Sequence, residues 1–139
     1  MVAYLLDTNV VSEPRKRSPH PGVMAWLESI EGAGSEVYLS VLVVGEIRKG
    51  IDMIRPRDPR RAAVLDAWLS ELLKTFVDRM LPVGLEVATE CGRMAAAGQP
   101  PLIDGLLAAT ARAHRLTLVT RNVADVARTG VTVVNPFEG

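Results

Sequence analysis

Val2-Ala3-Tyr4-Leu5-Leu6-Asp7-Thr8-Asn9 is the stretch that decides the fold. Five apolar residues have the length and composition of a buried strand, and a carboxylate ends the run. An acid at the C-terminal end of a buried strand has no core to fill. In open parallel α/β sheets that end is where ligands and chemistry sit.

The rest of the chain alternates helices and strands around this opening. Residues 8–14 read as a short helix stopping near Pro14, and Arg15-Lys16-Arg17-Ser18-Pro19 as a basic loop. Pro21 suits a first helical turn, followed by the stripe Val23, Met24, Trp26, Leu27, Ile30. Strand two is Val37-Tyr38-Leu39, and Ser40 caps a helix over 41–54 with Val43, Ile47, Ile51 and Ile54 as its apolar face. Asp58-Pro59 opens a helix with the stripe Ala62, Leu65, Trp68, Leu69, Leu72, Leu73, Phe76. Strand three covers 80–83, a helix over 85–97 stops at Gly98, and Gln99-Pro100-Pro101 leads into a helix over 102–114. Strands four and five cover 116–120 and 131–134. This order predicts one α/β domain over residues 1–139, a three-layer sandwich whose five-stranded, mostly parallel sheet carries helices on both faces.

Composition narrows the function classes. Hydrophobic residues make up 48% and charged residues 23%, ordinary for a globular domain. Sixteen basic residues balance sixteen acidic ones, so net charge neither favours nor excludes nucleic acid. A single cysteine, Cys91, rules out an internal disulfide and has no ligand-spaced partner for zinc, so it reads as a small core residue. The N-terminus lacks a signal pattern, and no apolar run approaches the roughly 20 residues of a membrane span. A soluble, cytoplasmic chain without a membrane partner is expected. There is no G-x-G-x-x-G and no Walker A sequence, and neither His20 nor His114 has a nucleophile arrangement around it.

Asp7 is joined by other acids in unusual places. Glu46 borders the apolar stripe of its helix between Gly45 and Gly50, and glycines there point to a close approach. Pairing with Arg48 or Lys49 is its structural alternative. Asp104 lies in the first turn of a strongly apolar helix, where capping is the alternative, although Pro101 marks an earlier start. Asn122 and Asp125 follow strand four, where Asx turns are routine. If strands one and four are neighbours, all these groups can face the crevice between them. Such a set suits a hard divalent cation, and without one the carboxylates repel and their pKa values rise.

Leu5-Leu6-Asp7-Thr8-Asn9-Val10, Leu39-Ser40 with Val44-Gly45-Glu46-Ile47 and Gly50, Ile103-Asp104-Gly105-Leu106-Leu107-Ala108-Ala109-Thr110-Ala111, Leu118-Val119-Thr120-Arg121-Asn122 and Val134-Asn135-Pro136-Phe137 together resemble a PIN-domain nuclease. Within that family the chain is most similar to the VapC/FitB-type toxins of bacterial toxin–antitoxin pairs. The resemblance implies a Mg²⁺- or Mn²⁺-dependent ribonuclease acting on single-stranded RNA. It implies Asp7, Glu46 and Asp104 as the acidic core, Thr8 as a polar helper beside the metal, and either Asn122 or Asp125 at the fourth position. It also implies a homodimer and an antitoxin partner lying over the pocket, with helices 21–30 and 41–54 as candidate walls. Rim cations that could hold the strand are Arg15, Lys16, Arg17, Arg48, Lys49 and Arg121.

Three other readings compete. A haloacid-dehalogenase-like phosphatase expects a second Asp where Asn9 stands. A receiver-like module expects an acid beside Asp7 and a lysine after strand five, and residues 131–139 contain no Lys. A catalytically inert PIN-like scaffold is expected to have lost an acid, yet Asp7, Glu46 and Asp104 all remain.

Overall fold

The computed structural model describes residues 2–98 and 102–138. Its five strands are β1 (Tyr4–Leu6), β2 (Val37–Ser40), β3 (Met80–Leu81), β4 (Thr117–Val119) and β5 (Val133–Val134). They lie in the order β3-β2-β1-β4-β5, and every pairing is parallel. The order reverses at β1, so the crevice between the C-terminal ends of β1 and β4 is the switch point.

Alternation along β1 sends Leu5 and Leu6 to opposite faces. Leu5 and Leu118 pack with α3 (Val41–Ile54), α4 (Pro59–Thr75), α5 (Leu85–Ala97) and α6 (Leu102–His114) through Val43, Ile47, Leu69, Val87 and Leu107. Leu6, Leu39 and Val119 pack on the other face with Val10 of α1 (Thr8–Val11) and Val23 of α2 (Pro21–Gly32). The result is three layers, as the alternation of elements predicts.

The long helices begin and end at the residues that chemistry marks. The Ser40 hydroxyl accepts from the Leu42 N–H at 3.0 Å and starts α3. Asp58 accepts from the Arg61 N–H at 3.1 Å, with Pro59 in the first turn of α4. α5 stops at Gly98. Cys91 packs against the larger core cluster, as a small apolar residue does. Residues 99–101, including the marker Pro101, lie outside the described residues.

The strands are shorter than their apolar runs. Tyr4 is the first β1 residue with partners, Val37 and Thr117, and Val2 is 52% exposed. β3 stops before Pro82, which has no N–H for the ladder. The expected helix over 8–14 breaks at Ser12. A 3-10 turn, Glu13–Arg15, replaces its end because Pro14 cannot donate within a helix. Leu73, read as part of the α4 stripe, is 39% exposed, and Phe76 lies just past the helix end.

Gly22 is required by packing rather than by a turn. A side chain there would meet the Pro136 carbonyl oxygen at 2.8 Å, so the C-terminal segment can lie against the start of α2.

Candidate metal centre

Asp7 is the first residue beyond β1, and its N–H continues the ladder to the Val119 carbonyl at 2.9 Å. Its side chain is the N-cap of α1: Oδ1 accepts from the Thr8 N–H at 2.7 Å. Oδ2 accepts from the Thr120 hydroxyl at 2.7 Å and from Asn9 Nδ2 at 3.3 Å. Asp7 is 4% exposed, and a buried carboxylate needs donors or a cation. All three donors here are neutral. They hold the carboxylate in place without cancelling its charge.

Thr120 and Asn9 are site residues that the sequence reading left without a role. Leu6 pairs with Val119, so Asp7 and Thr120 are the next residues along two adjacent parallel strands. A polar residue ending the apolar run of β4, as Asp7 ends that of β1, was the available signal. Asn9 joins the two strand ends: its Oδ1 accepts from the Arg121 N–H at 3.2 Å while its Nδ2 faces Asp7. The Asn122 N–H bonds the Thr120 hydroxyl at 3.0 Å and closes the same turn.

Glu46 reaches the centre from α3, and its Oε1 accepts from the Thr8 hydroxyl at 3.0 Å. Its carboxyl is pushed above the ordinary carboxylate range by desolvation first and by the charge of Asp7 second, against the opposing pull of Thr8 and Lys49. The expected partner Arg48 is committed elsewhere, at 2.7 Å from Asp66. Beyond their chain neighbours and own helix backbone, no atom of the described chain lies within 4 Å of a side-chain carbon built at Gly45 or Gly50, so no part of the described chain fills the space these glycines leave.

Asp104 stands in the first turn of α6. Among the described residues no N–H donates to its side chain in a capping bond. It faces the acids instead. Desolvation, then the charges of Asp7 and Asp125, raise its pKa to about 6, while the nearby Asn122 side chain opposes the rise. Asn122 occupies the N-cap position of α7 (Val123–Val126) but makes no capping bond with its side chain, and Asp125 is exposed on that helix. The two candidates for the fourth position therefore both address Asp104.

Asp7, Glu46, Asp104 and Asp125 have no Lys or Arg partner within 4.0 Å among the described residues. Glu13 shows the contrast. It is 3% exposed, and burial alone would raise its pKa. Lys16 at 2.9 Å and the His20 N–H at 2.9 Å outweigh that burial and hold it below the ordinary value. Sequence reading passed over Glu13, which anchors the basic loop to α2. His20 is structural, its Nδ1 capping α2 by accepting from the Gly22 N–H at 3.1 Å.

The donor set fits a hard divalent cation: carboxylate oxygens, crowded and unneutralised, at a sheet switch point. Among the described residues no three of these side chains close on one point tightly enough to cage an ion alone. Mg²⁺ keeps several waters and is commonly held by one or two carboxylates, so an incomplete cage suits it.

A doubly wound parallel sheet with unpaired acids at its switch point is an α/β arrangement suited to a hard cation. The chain belongs to the PIN domain family, whose model matches residues 4–130. It is 34% identical to Toxin FitB of Neisseria gonorrhoeae, over 96% of this chain and 97% of that protein. It is 32% identical to VapC ribonuclease Y4jK of Sinorhizobium fredii, over 96% of this chain and 97% of the relative. The crystal structure of FitAcB from Neisseria gonorrhoeae superposes with a TM-score of 0.88 at 34% identity, over 98% of this chain and 99% of the other.

Proposed function

We propose that the chain, acting over residues 1–139 as one PIN domain, is a metal-dependent endoribonuclease that hydrolyses single-stranded RNA as the toxin of a toxin–antitoxin pair. The observation that carries this is the buried Asp7 facing Glu46 and Asp104, which Asp125 also faces, with no Lys or Arg partner within 4.0 Å among the described residues. The relatives named as a toxin and as a ribonuclease support it. A catalytic divalent metal is a general property of PIN-domain ribonucleases. Here we assign Mg²⁺, with Mn²⁺ as a substitute.

Asp7, Glu46 and Asp104, with Asp125, would hold the ion. When bound there, a divalent cation would supply activation of water and neutralisation of charge on the phosphate oxygens. The chain's own residues set the geometry. Thr120 and Asn9 fix the Asp7 rotamer, and Thr8 fixes Glu46. The partners we assign are the RNA, an antitoxin that covers the acids, and a second copy of the chain. No described helix is long and apolar enough to cross a membrane, and we place the activity in the cytoplasm.

The test is cleavage of a single-stranded RNA by the purified chain in Mg²⁺, with double-stranded RNA of the same sequence as comparator. Single-strand cleavage at matched positions is expected, and intact RNA from partner-free protein contradicts the proposal. The fourth position is resolved in the same assay. Asp125→Asn is expected to raise the Mg²⁺ concentration needed for half-maximal rate by about tenfold, the scale of a lost supporting interaction at a metal site, and Asn122→Ala to change it less. Full activity of Asp125→Asn across all Mg²⁺ concentrations transfers the role to Asn122.

A further inference from the structure

A groove of about 370 Å³ opens beside the acids, between the 3-10 turn, α3 and α4. That volume lies at the small end of ligand clefts, roughly 300–1,000 Å³. Thr8 and Glu46 form its inner end, so it is continuous with the candidate metal centre. Its outer wall carries Arg15, Lys16, Arg61 and Trp68. α2 supplies none of its lining.

Three features identify the occupant. Arg15 and Arg61 have no carboxylate partner among the described residues, so the outer wall presents uncompensated positive charge beside the anionic centre. Trp68 is half-buried, and the Arg15 guanidinium lies over its ring, 4.9 Å from the centroid, so the face is covered by a cation that a stacking base would displace. Gly50, on α3 across the groove, leaves space where a side chain would project. Cations plus an aromatic face are the means by which proteins hold single-stranded nucleic acid without reading its sequence.

Resting on the ribonuclease reading, we propose that this groove is a nucleotide subsite flanking the scissile phosphate. Trp68 stacks the base of that nucleotide in place of Arg15, and Arg15, moved off the ring, binds the adjoining phosphates with Arg61. The strand thereby approaches the acids from the α3–α4 side, over Gly50.

Binding is measured in Mg²⁺ with Asp7→Asn protein, which does not turn over, by the fluorescence anisotropy of end-labelled single-stranded RNA, a readout that serves the Trp68 variants equally. Cleavage kinetics are measured on otherwise wild-type protein. Trp68→Leu and Arg15→Ala are each expected to raise KM for single-stranded RNA by about tenfold or more, with kcat within about twofold, because stacking and phosphate contacts act on binding. Trp68→Phe keeps an aromatic face and is expected to restore most of the affinity, which excludes a folding defect in Trp68→Leu. A scan with single abasic residues is expected to find one position that weakens binding to Trp68 protein but not to Trp68→Leu. KM unchanged in both variants, or no abasic position coupled to Trp68, overturns the subsite and assigns the groove to a protein segment. Wild type that binds RNA through Trp68 but never cleaves it refutes the ribonuclease reading and leaves the subsite standing.

Discussion

Asp7→Asn is expected to cut the rate of RNA cleavage by at least ~100-fold, at or beyond the scale of losing a well-held supporting group at a metal site. The substitution removes the one fully buried negative charge of the centre. It also breaks the donor pattern around it. Both oxygens of Asp7 accept hydrogen bonds, from the Thr8 N–H on one side and from Thr120 and Asn9 on the other. An amide places an NH₂ against one of these donors, so the side chain must turn and Asn9 or Thr120 loses its partner. Glu46→Gln is expected to lose activity on the same scale but without the packing consequence, since only Thr8 contacts its carboxylate. Circular dichroism and single-turnover cleavage on the two variants check both points. An Asp7→Asn protein with near wild-type turnover would remove Asp7 from the chemistry.

Asp104→Asn is expected to be at least ~100-fold less active and yet more stable than wild type in EDTA at pH 7. The folded pKa of Asp104, about 6, lies above its ordinary value. That ordinary value is near ~4 in an unfolded chain. Between the two, the folded protein retains a proton that the unfolded chain has released. Stability therefore falls as pH rises through that window and stays reduced above it. Asparagine carries no such charge against Asp7 and Asp125. The melting temperatures of the two proteins should converge near pH 4 and separate by a few °C at pH 7, with Asp104→Asn higher. Mg²⁺ should narrow the gap by stabilising the folded wild type more. A capping role predicts the reverse, and Asp104→Ala exposes it: a loss of ~1 kcal/mol independent of metal and pH would make Asp104 a helix cap.

These expectations depend on features of unequal legibility. α3, α5 and α6 run over the residues that the sequence indicates, because local chemistry sets their ends: Ser40 caps one and Gly98 stops another. Strand ends are set by partners far along the chain. Val2 and Ala3 are as apolar as a strand requires, but beyond one bond from the Thr117 N–H to the Ala3 carbonyl the register with β2 and β4 begins at Tyr4. The acids Asp7, Glu46 and Asp104 could be singled out because charge is costly where they stand. Thr120 and Asn9 resemble ordinary turn residues until the β1–β4 register places both at Asp7. Glu13 was invisible for another reason, since its burial comes from the fold-back of the loop onto α2 rather than from helical or strand periodicity. Trp68 fits the α4 stripe, and periodicity cannot show that a groove leaves part of its ring accessible. Gly50 shows a missing side chain in the sequence, but only the fold shows that the described chain leaves that space open.

The most direct test of the central claim, that the acids around Asp7 work by holding a divalent cation, is a chelation and rescue experiment. Wild-type chain, freed of any partner, is incubated with single-stranded RNA in excess EDTA and then in excess Mg²⁺, with Asp7→Asn purified in parallel to report contaminating nuclease. Cleavage should be absent in EDTA, return with Mg²⁺, and stay absent in Asp7→Asn under both conditions. Cleavage that persists in EDTA and is lost in Asp7→Asn would contradict the account, because the same acid would then act without a metal.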